Sequence, residues 1–147
     1  MTQIFNTAPA IHSPRILGVD LLSIDVHRDS RGDLGAMEAG QLGFDFRRVF
    51  YIRVKSRDAV RGEHAASADQ AFMVLIGAVT VDVDNGHVRE TIRLADSASA
   101  LRVRAGVWTR LRDFAQGALL IVASSRSYAE TEYFDAPHPE LLSPKRQ

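Results

Sequence analysis

Short runs of branched and aromatic residues, cut at close intervals by turn signals, commit this chain to β-structure. The clearest run is Val79-Thr-Val81-Asp-Val83-Asp84, whose strict alternation buries one face of a strand and wets the other. Asp84-Asn85-Gly86 follows as a hairpin signal, because Asn-Gly adopts the positive φ angles of the tight primed turns. Comparable runs are Ile16–Val26, Asp33–Glu38, Arg47–Val54, Phe72–Ile76, Val88–Leu94, Leu101–Arg104, Val107–Leu111 and Ala118–Ala123. Phe72–Ile76 is apolar on both faces, as a central strand should be. Asp29-Ser30-Arg31-Gly32 breaks the first two runs as a turn. About nine or ten short strands without sustained helical periodicity predict an all-β sandwich or barrel. A short helix is expected beyond Tyr128, ended by Pro137 and Pro139.

A length of 147 residues suits one domain with its own core. The expected division is an arm over residues 1–15, a β-domain over 16–135 and a tail over 136–147. A net charge of zero argues against a general nucleic-acid or membrane-surface binder. The chain has no cysteine, which excludes disulfides, thiolate metal sites and cysteine nucleophiles. Met1–Pro14 lacks a basic segment followed by an apolar one, so no signal peptide is expected. The longest apolar run, Ala71–Val79, is too short to span a bilayer, and a cytoplasmic location follows as the expectation. Of 18 basic residues 16 are arginine, the side chain best shaped for paired contacts to phosphate or carboxylate.

Within this β-pattern, Arg61-Gly62-Glu63-His64-Ala65-Ala66 and Asp69-Gln70, separated by six residues from Gly77, resemble the first metal-binding signature of the cupins. His64 stands at its first histidine, Ala66 at its second and Gln70 at its glutamate. The stretch from Gly106 resembles the second signature, with Thr109 at the histidine and Asp113 at the asparagine. One of four metal ligands survives. A lone imidazole cannot hold a transition metal usefully, since such sites need three or four protein ligands, so no metal is expected. The resemblance implies a double-stranded β-helix, the cupin jelly-roll barrel. The polar arm and the edges of open sheets add the expectation of a homodimer with an exchanged N-terminal strand.

A more specific likeness runs in order through residues 16–135. Asp29-Ser-Arg31-Gly32, Arg48-Val-Phe-Tyr51-Ile, Arg61-Gly-Glu-His64-Ala, Asp84-Asn-Gly86, Gly106-Val-Trp108, Arg112-Asp113-Phe114 and Tyr128-Ala-Glu-Thr-Glu-Tyr133-Phe resemble the WxcM-like cupins. These include the dTDP-4-keto-6-deoxyglucose 3,4-ketoisomerases and are related more distantly to the dTDP-sugar 3,5-epimerases. The family usually carries a second histidine where Ala66 stands and Trp-His where this chain has Trp108-Thr109.

The resemblance implies a cofactor-free isomerase of a nucleotide-linked ketosugar in deoxysugar and glycan biosynthesis. His64 is then the expected acid–base group, with Tyr51 or Asp113 as alternatives. Phe50 and Tyr51 alternate in facing, and the sequence leaves open which points inward. Arg31, Arg48 and Arg61 fall where the family places arginine near the pocket, suited to a diphosphate. The competing expectation pairs Arg48 and Arg61 with Glu38, Glu63 or Asp69. Gln70 and Thr109 are expected against the sugar, Trp108 in the core, and Tyr128 and Tyr133 packing the tail onto the barrel. The other histidines, in arm, turns and tail, are expected in solvent. Two further readings stay open: a non-catalytic nucleotide-sugar-binding cupin, and an isomerase or epimerase of a different ketosugar.

Overall fold

A computed structural model describes residues 14–142 and the backbone of Ile4–Phe5. Its strands are β1 (Ile4–Phe5), β2 (Val19–Ser23), β3 (Val26–Asp29), β4 (Gly32–Gly35), β5 (Arg48–Arg53), β6 (Arg61–Ala66) and β7 (Gln70–Ile76). They continue as β8 (Val79–Asp84), β9 (Arg89–Leu94), β10 (Ser99–Val103), β11 (Trp108–Arg112), β12 (Leu119–Ser124) and β13 (Tyr133–Phe134). One α-helical turn, α1 (Ala39–Leu42), and a 3-10 turn (Pro139–Leu142) complete the described elements.

Two five-stranded antiparallel sheets, in the orders β2-β10-β7-β12-β5 and β13-β6-β11-β8-β9, face each other as the cupin jelly roll. Their inner faces make the core. Val79, Val81 and Val83 of β8 meet Leu101 and Val103 of β10 and Leu120 and Val122 of β12 there, all nearly inaccessible to water. Strict alternation along each strand supplies these residues, which is why the barrel was legible as a pattern of apolar positions.

Departures from the expected elements have local causes. Ile16–Val26 divides, because Ile24 leaves the ladder to donate its amide to the Ala98 carbonyl and buries its side chain completely. Consequently β2 joins a barrel sheet while β3 pairs with β1 and β4 in a small third sheet. The run expected over 33–38 is strand only from Gly32 to Gly35, and α1 follows it. The Asn85-Gly86 turn is not the two-residue primed type. Only Gly86 has positive φ, at 95°, and Asn85 instead caps a four-residue loop, its Oδ1 accepting from the amides of His87 and Val88. The expected helix before Pro137 is replaced by β13, with the 3-10 turn beginning at Pro139.

The outer face of β8 is not wet. Asp82 is only 2% exposed. Its carboxylate accepts from Arg110 Nε at 2.9 Å, Arg112 Nε at 2.6 Å, Arg112 Nη2 at 3.0 Å and Thr91 Oγ1 at 2.7 Å. Trp108, buried as expected, lies on this same face between the guanidinium groups of Arg89 and Arg110.

Ile4–Phe5, within the expected arm, pairs antiparallel with β3 of the same chain. Residues 1–3, 6–13 and 143–147 lie outside the described residues. Among the described residues no helix is long and apolar enough to cross a membrane.

Candidate active site

A cavity of about 340 Å³ opens between the two barrel sheets. From one sheet β5 contributes Arg48, Phe50 and Ile52, and β7 contributes Gln70 and Phe72. From the other come Arg61, Gly62 and His64 of β6 and Thr109 and Leu111 of β11. Tyr128 and Tyr133 close one side.

The β6 contribution depends on a bulge. Thr109 and Leu111 are two apart on β11, so both face inward. Their partners on β6 are His64 and Arg61, which are three apart, and the register slips between Thr109 and Arg110. Glu63 is the extra residue, at φ 64°, following Gly62 at φ 85°. With plain alternation Arg61 and His64 would face opposite sides of the sheet. The bulge brings both into the cavity. Glycine is needed at position 62, because a Cβ there would lie 3.0 Å from the Thr109 carbonyl oxygen.

His64 is partly buried, and its Nδ1 is buried without a hydrogen-bond partner. Burial pushes the imidazole below its ordinary pKa of 6.5, so it is neutral at physiological pH and free to accept a proton. The Tyr133 ring packs on it with centroids 4.6 Å apart. The Tyr133 hydroxyl oxygen accepts from Arg48 Nη1 at 3.2 Å. Arg48 in turn lies 4.2 Å from the Phe50 ring centroid and 5.1 Å from that of Tyr128.

Neither Arg48 nor Arg61 pairs with a carboxylate among the described residues, so the acid-paired alternative does not hold. Asp69 instead accepts from the Ala105 amide at 2.9 Å. With no Asp or Glu in the lining, the cavity presents two uncompensated guanidinium groups. Gln70 and Thr109 are nearly buried on opposite sheets of the cavity, Thr109 paired with His64 on the neighbouring strand. Five of the eight expected site residues therefore meet in one cavity.

Three do not. Tyr51 is 73% exposed, because Phe50 and Ile52 take the inward phase of β5. Asp113 sits past the end of β11 at φ 51°, its carboxylate 2.8 Å from Arg112 on the outer side of the sheet. Arg31 lies in the β3–β4 turn, bound to Asp29 at 2.6 Å and 77% exposed at its side chain. That pairing holds the Asp29 carboxyl below the usual carboxylate range. Within one chain none of these three reaches the cavity.

Tyr128, Tyr133 and Phe50 were not expected as site residues. Tyr133 sits on a two-residue strand directly opposite Ala66. The segment after it is seated by Gly106, whose missing side chain admits the His138 carbonyl to 2.5 Å from where a Cβ would stand. Packing of the C-terminal segment onto the barrel, as expected, thus also builds the pocket wall. Among the described residues no group of three or more His, Cys, Asp or Glu converges on a point where a metal could sit.

Comparison with known proteins finds relatives of the whole β-domain. A protein 35% identical over 107 residues, covering 71% of this chain and 77% of its own, is the TDP-4-oxo-6-deoxy-alpha-D-glucose-3,4-oxoisomerase of Aneurinibacillus thermoaerophilus. A mutant of the 3,4-ketoisomerase QdtA from Thermoanaerobacterium thermosaccharolyticum, solved with TDP-4-keto-6-deoxyglucose, superposes with a TM-score of 0.77 at 29% identity. That match covers 82% of this chain and 88% of the other. The TDP-quinovose 3,4-ketoisomerase WlaRB of Campylobacter jejuni gives a TM-score of 0.78 at 27% identity, over 88% of this chain and 100% of the other. The FdtA family model (WxcM-like, C-terminal) matches residues 17–139, and the chain belongs to that family.

Proposed function

We propose that this protein isomerises a TDP-linked 4-keto-6-deoxyhexose, moving the ketone from C4 to C3. The observation that carries this reading is the joint placement of one neutral imidazole, His64, and two acid-free guanidinium groups, Arg48 and Arg61, in one cavity. A ketosugar acidifies the C–H next to its carbonyl, so a buried imidazole suffices as base. His64 takes the proton at C3, and the resulting imidazolium returns it to C4 of the enediol. The two guanidinium groups bind the diphosphate through charge-assisted hydrogen bonds and leave the sugar against His64 and Thr109. Gln70, nearly buried, hydrogen-bonds a sugar hydroxyl. No step in this scheme requires a metal or another cofactor. The reaction runs in the cytoplasm.

Binding is tested with TDP itself. At about 100 times its Kd, TDP should raise the melting temperature by several degrees. Arg61→Ala should weaken it about 10- to 100-fold, the value of one or two hydrogen bonds to a charged group. No thermal shift at millimolar TDP would remove the nucleotide from the reading. Binding without isomerisation of any 4-ketosugar would leave a nucleotide-sugar-binding cupin. Turnover of a different ketosugar alone would reassign the substrate that Ala66 admits.

The assembly is proposed to be a homodimer, with N-terminal strands exchanged between protomers. β4, exposed at each of its four residues and at the edge of the small sheet, supports it. Light scattering at micromolar concentration should give twice the chain mass. A monomer there would contradict it.

A further inference from the structure

We infer that Tyr133 is a second catalytic residue, the one that moves the hydroxyl proton while His64 moves the carbon-bound one. The inference rests on the isomerase reading above and assigns a role that the imidazole alone leaves unfilled.

Moving a ketone from C4 to C3 requires two proton transfers. One shifts hydrogen from C3 to C4. The other takes the proton from the C3 hydroxyl and delivers one to the C4 oxygen. His64 can serve the first, but during that step its nitrogen already holds the carbon-derived proton. The second transfer needs another group with a mobile proton, placed beside His64.

Few side chains in the cavity qualify. Asp113 and Tyr51 lie elsewhere, and the lining contains no carboxylate. Thr109 and Gln70 do not ionise in the accessible range. Tyr128 is 69% exposed at the mouth. Tyr133 remains, and three contacts fit it for the task. Its backbone pairs directly with Ala66, whose side chain shares the inward face of β6 with His64 and is too small to reach the substrate. Its ring touches the His64 ring at 4.6 Å between centroids. Its hydroxyl oxygen holds Arg48 Nη1 at 3.2 Å, which leaves the phenolic proton free to donate into the cavity and places a fixed positive charge beside any phenolate formed. A phenol is thus delivered from β13 to the place where β6 carries only a methyl group.

The sequence of transfers balances. As His64 removes the C3 proton, the C4 carbonyl oxygen takes the Tyr133 proton and the enediol forms. The phenolate, held against Arg48, then takes the proton of the C3 hydroxyl as the C3 carbonyl forms. The double-bond electrons at C4 take the proton back from His64. Both side chains return to their starting states.

The test is Tyr133→Phe in the full-length protein, which keeps the ring against His64 and removes only the hydroxyl. Conversion of TDP-4-keto-6-deoxyglucose is followed by NMR, and TDP affinity is measured separately. The expected result is a kcat lower by about 10²–10⁴-fold with KM and TDP affinity near those of the wild type. Full kcat in Tyr133→Phe would overturn the inference. So would a fall in TDP affinity that matches the fall in turnover, since that marks Tyr133 as a wall that only holds Arg48. An inactive wild type that still binds TDP would remove the isomerase reading itself, and the role of Tyr133 with it. An active wild type with an indifferent Tyr133→Phe removes the inference alone.

Discussion

His64→Asn should lower turnover of a TDP-linked 4-ketosugar by about 10²–10⁴-fold, the usual loss when a positioned proton acceptor is removed. Asparagine has a similar shape and cannot take a proton. Nucleotide affinity should stay near wild type, because Arg48 and Arg61, not His64, are proposed to make the anion contacts. The pH profile supplies an independent sign. The reactive form is the neutral imidazole, and burial lowers its pKa below 6.5. Acidification therefore removes activity only as pH falls through that lowered value, and the midpoint of the acid limb of kcat/KM should lie below 6.5. An acid limb centred above 6.5 would contradict a buried, neutral His64. Full activity in His64→Asn would move the base to another residue of the cavity.

Asp82→Asn should produce the largest loss of stability, about 3 kcal/mol, near the lower bound for stripping one partner from a buried charge pair. The lower bound applies because Arg110 and Arg112 remain about one-third exposed at their side chains. For a chain of this length that is roughly 6–12 °C in melting temperature. Asp82 ties β8, β9 and β11 together, and β11 carries Thr109 and Leu111 into the cavity. The hydrogen bonds from Arg112, with those from Thr91 and Arg110, hold its carboxyl far below the usual carboxylate range. A lowered pKa contributes stability that is complete above the unfolded value near 3.9 and is lost as pH falls through the folded one. Urea melts at neutral pH should therefore separate wild type from Asp82→Asn, and the gap should narrow only under strong acid. A gap that closes between pH 7 and 5 would rule out the buried carboxylate as its source.

The barrel was readable because its inward positions repeat every second residue, as Val79, Val81 and Val83 do. The same periodicity misled at Asp82, where alternation spells solvent and the cover comes from Arg110 and Arg112 on a neighbouring strand. At Tyr51 the period was clear but the phase was not. Phase depends on which face meets the opposite sheet, and the competing aromatic, Phe50, took it. Arg61 and His64 share the cavity through a bulge that simple alternation would have forbidden, and the Arg-Gly-Glu-His motif was the only sign of it. Arg31 and Asp113 carried suitable chemistry in motif positions, yet each is engaged by a sequence neighbour, Asp29 or Arg112, away from the cavity. Tyr133 was read as packing because a two-residue strand leaves no periodic trace. Its place in the cavity wall comes from pairing with Ala66, 67 residues earlier in the chain.

The central claim is that this cavity moves a proton between neighbouring carbons of a nucleotide-linked ketosugar. The most direct measurement is NMR of TDP-4-keto-6-deoxyglucose with the wild-type protein in deuterated water. The account predicts conversion to the 3-keto isomer, with deuterium entering at the carbon that is protonated whenever the His64 proton exchanges with solvent. Tight TDP binding with an unchanged ketosugar and no deuterium at C3 or C4 would contradict it.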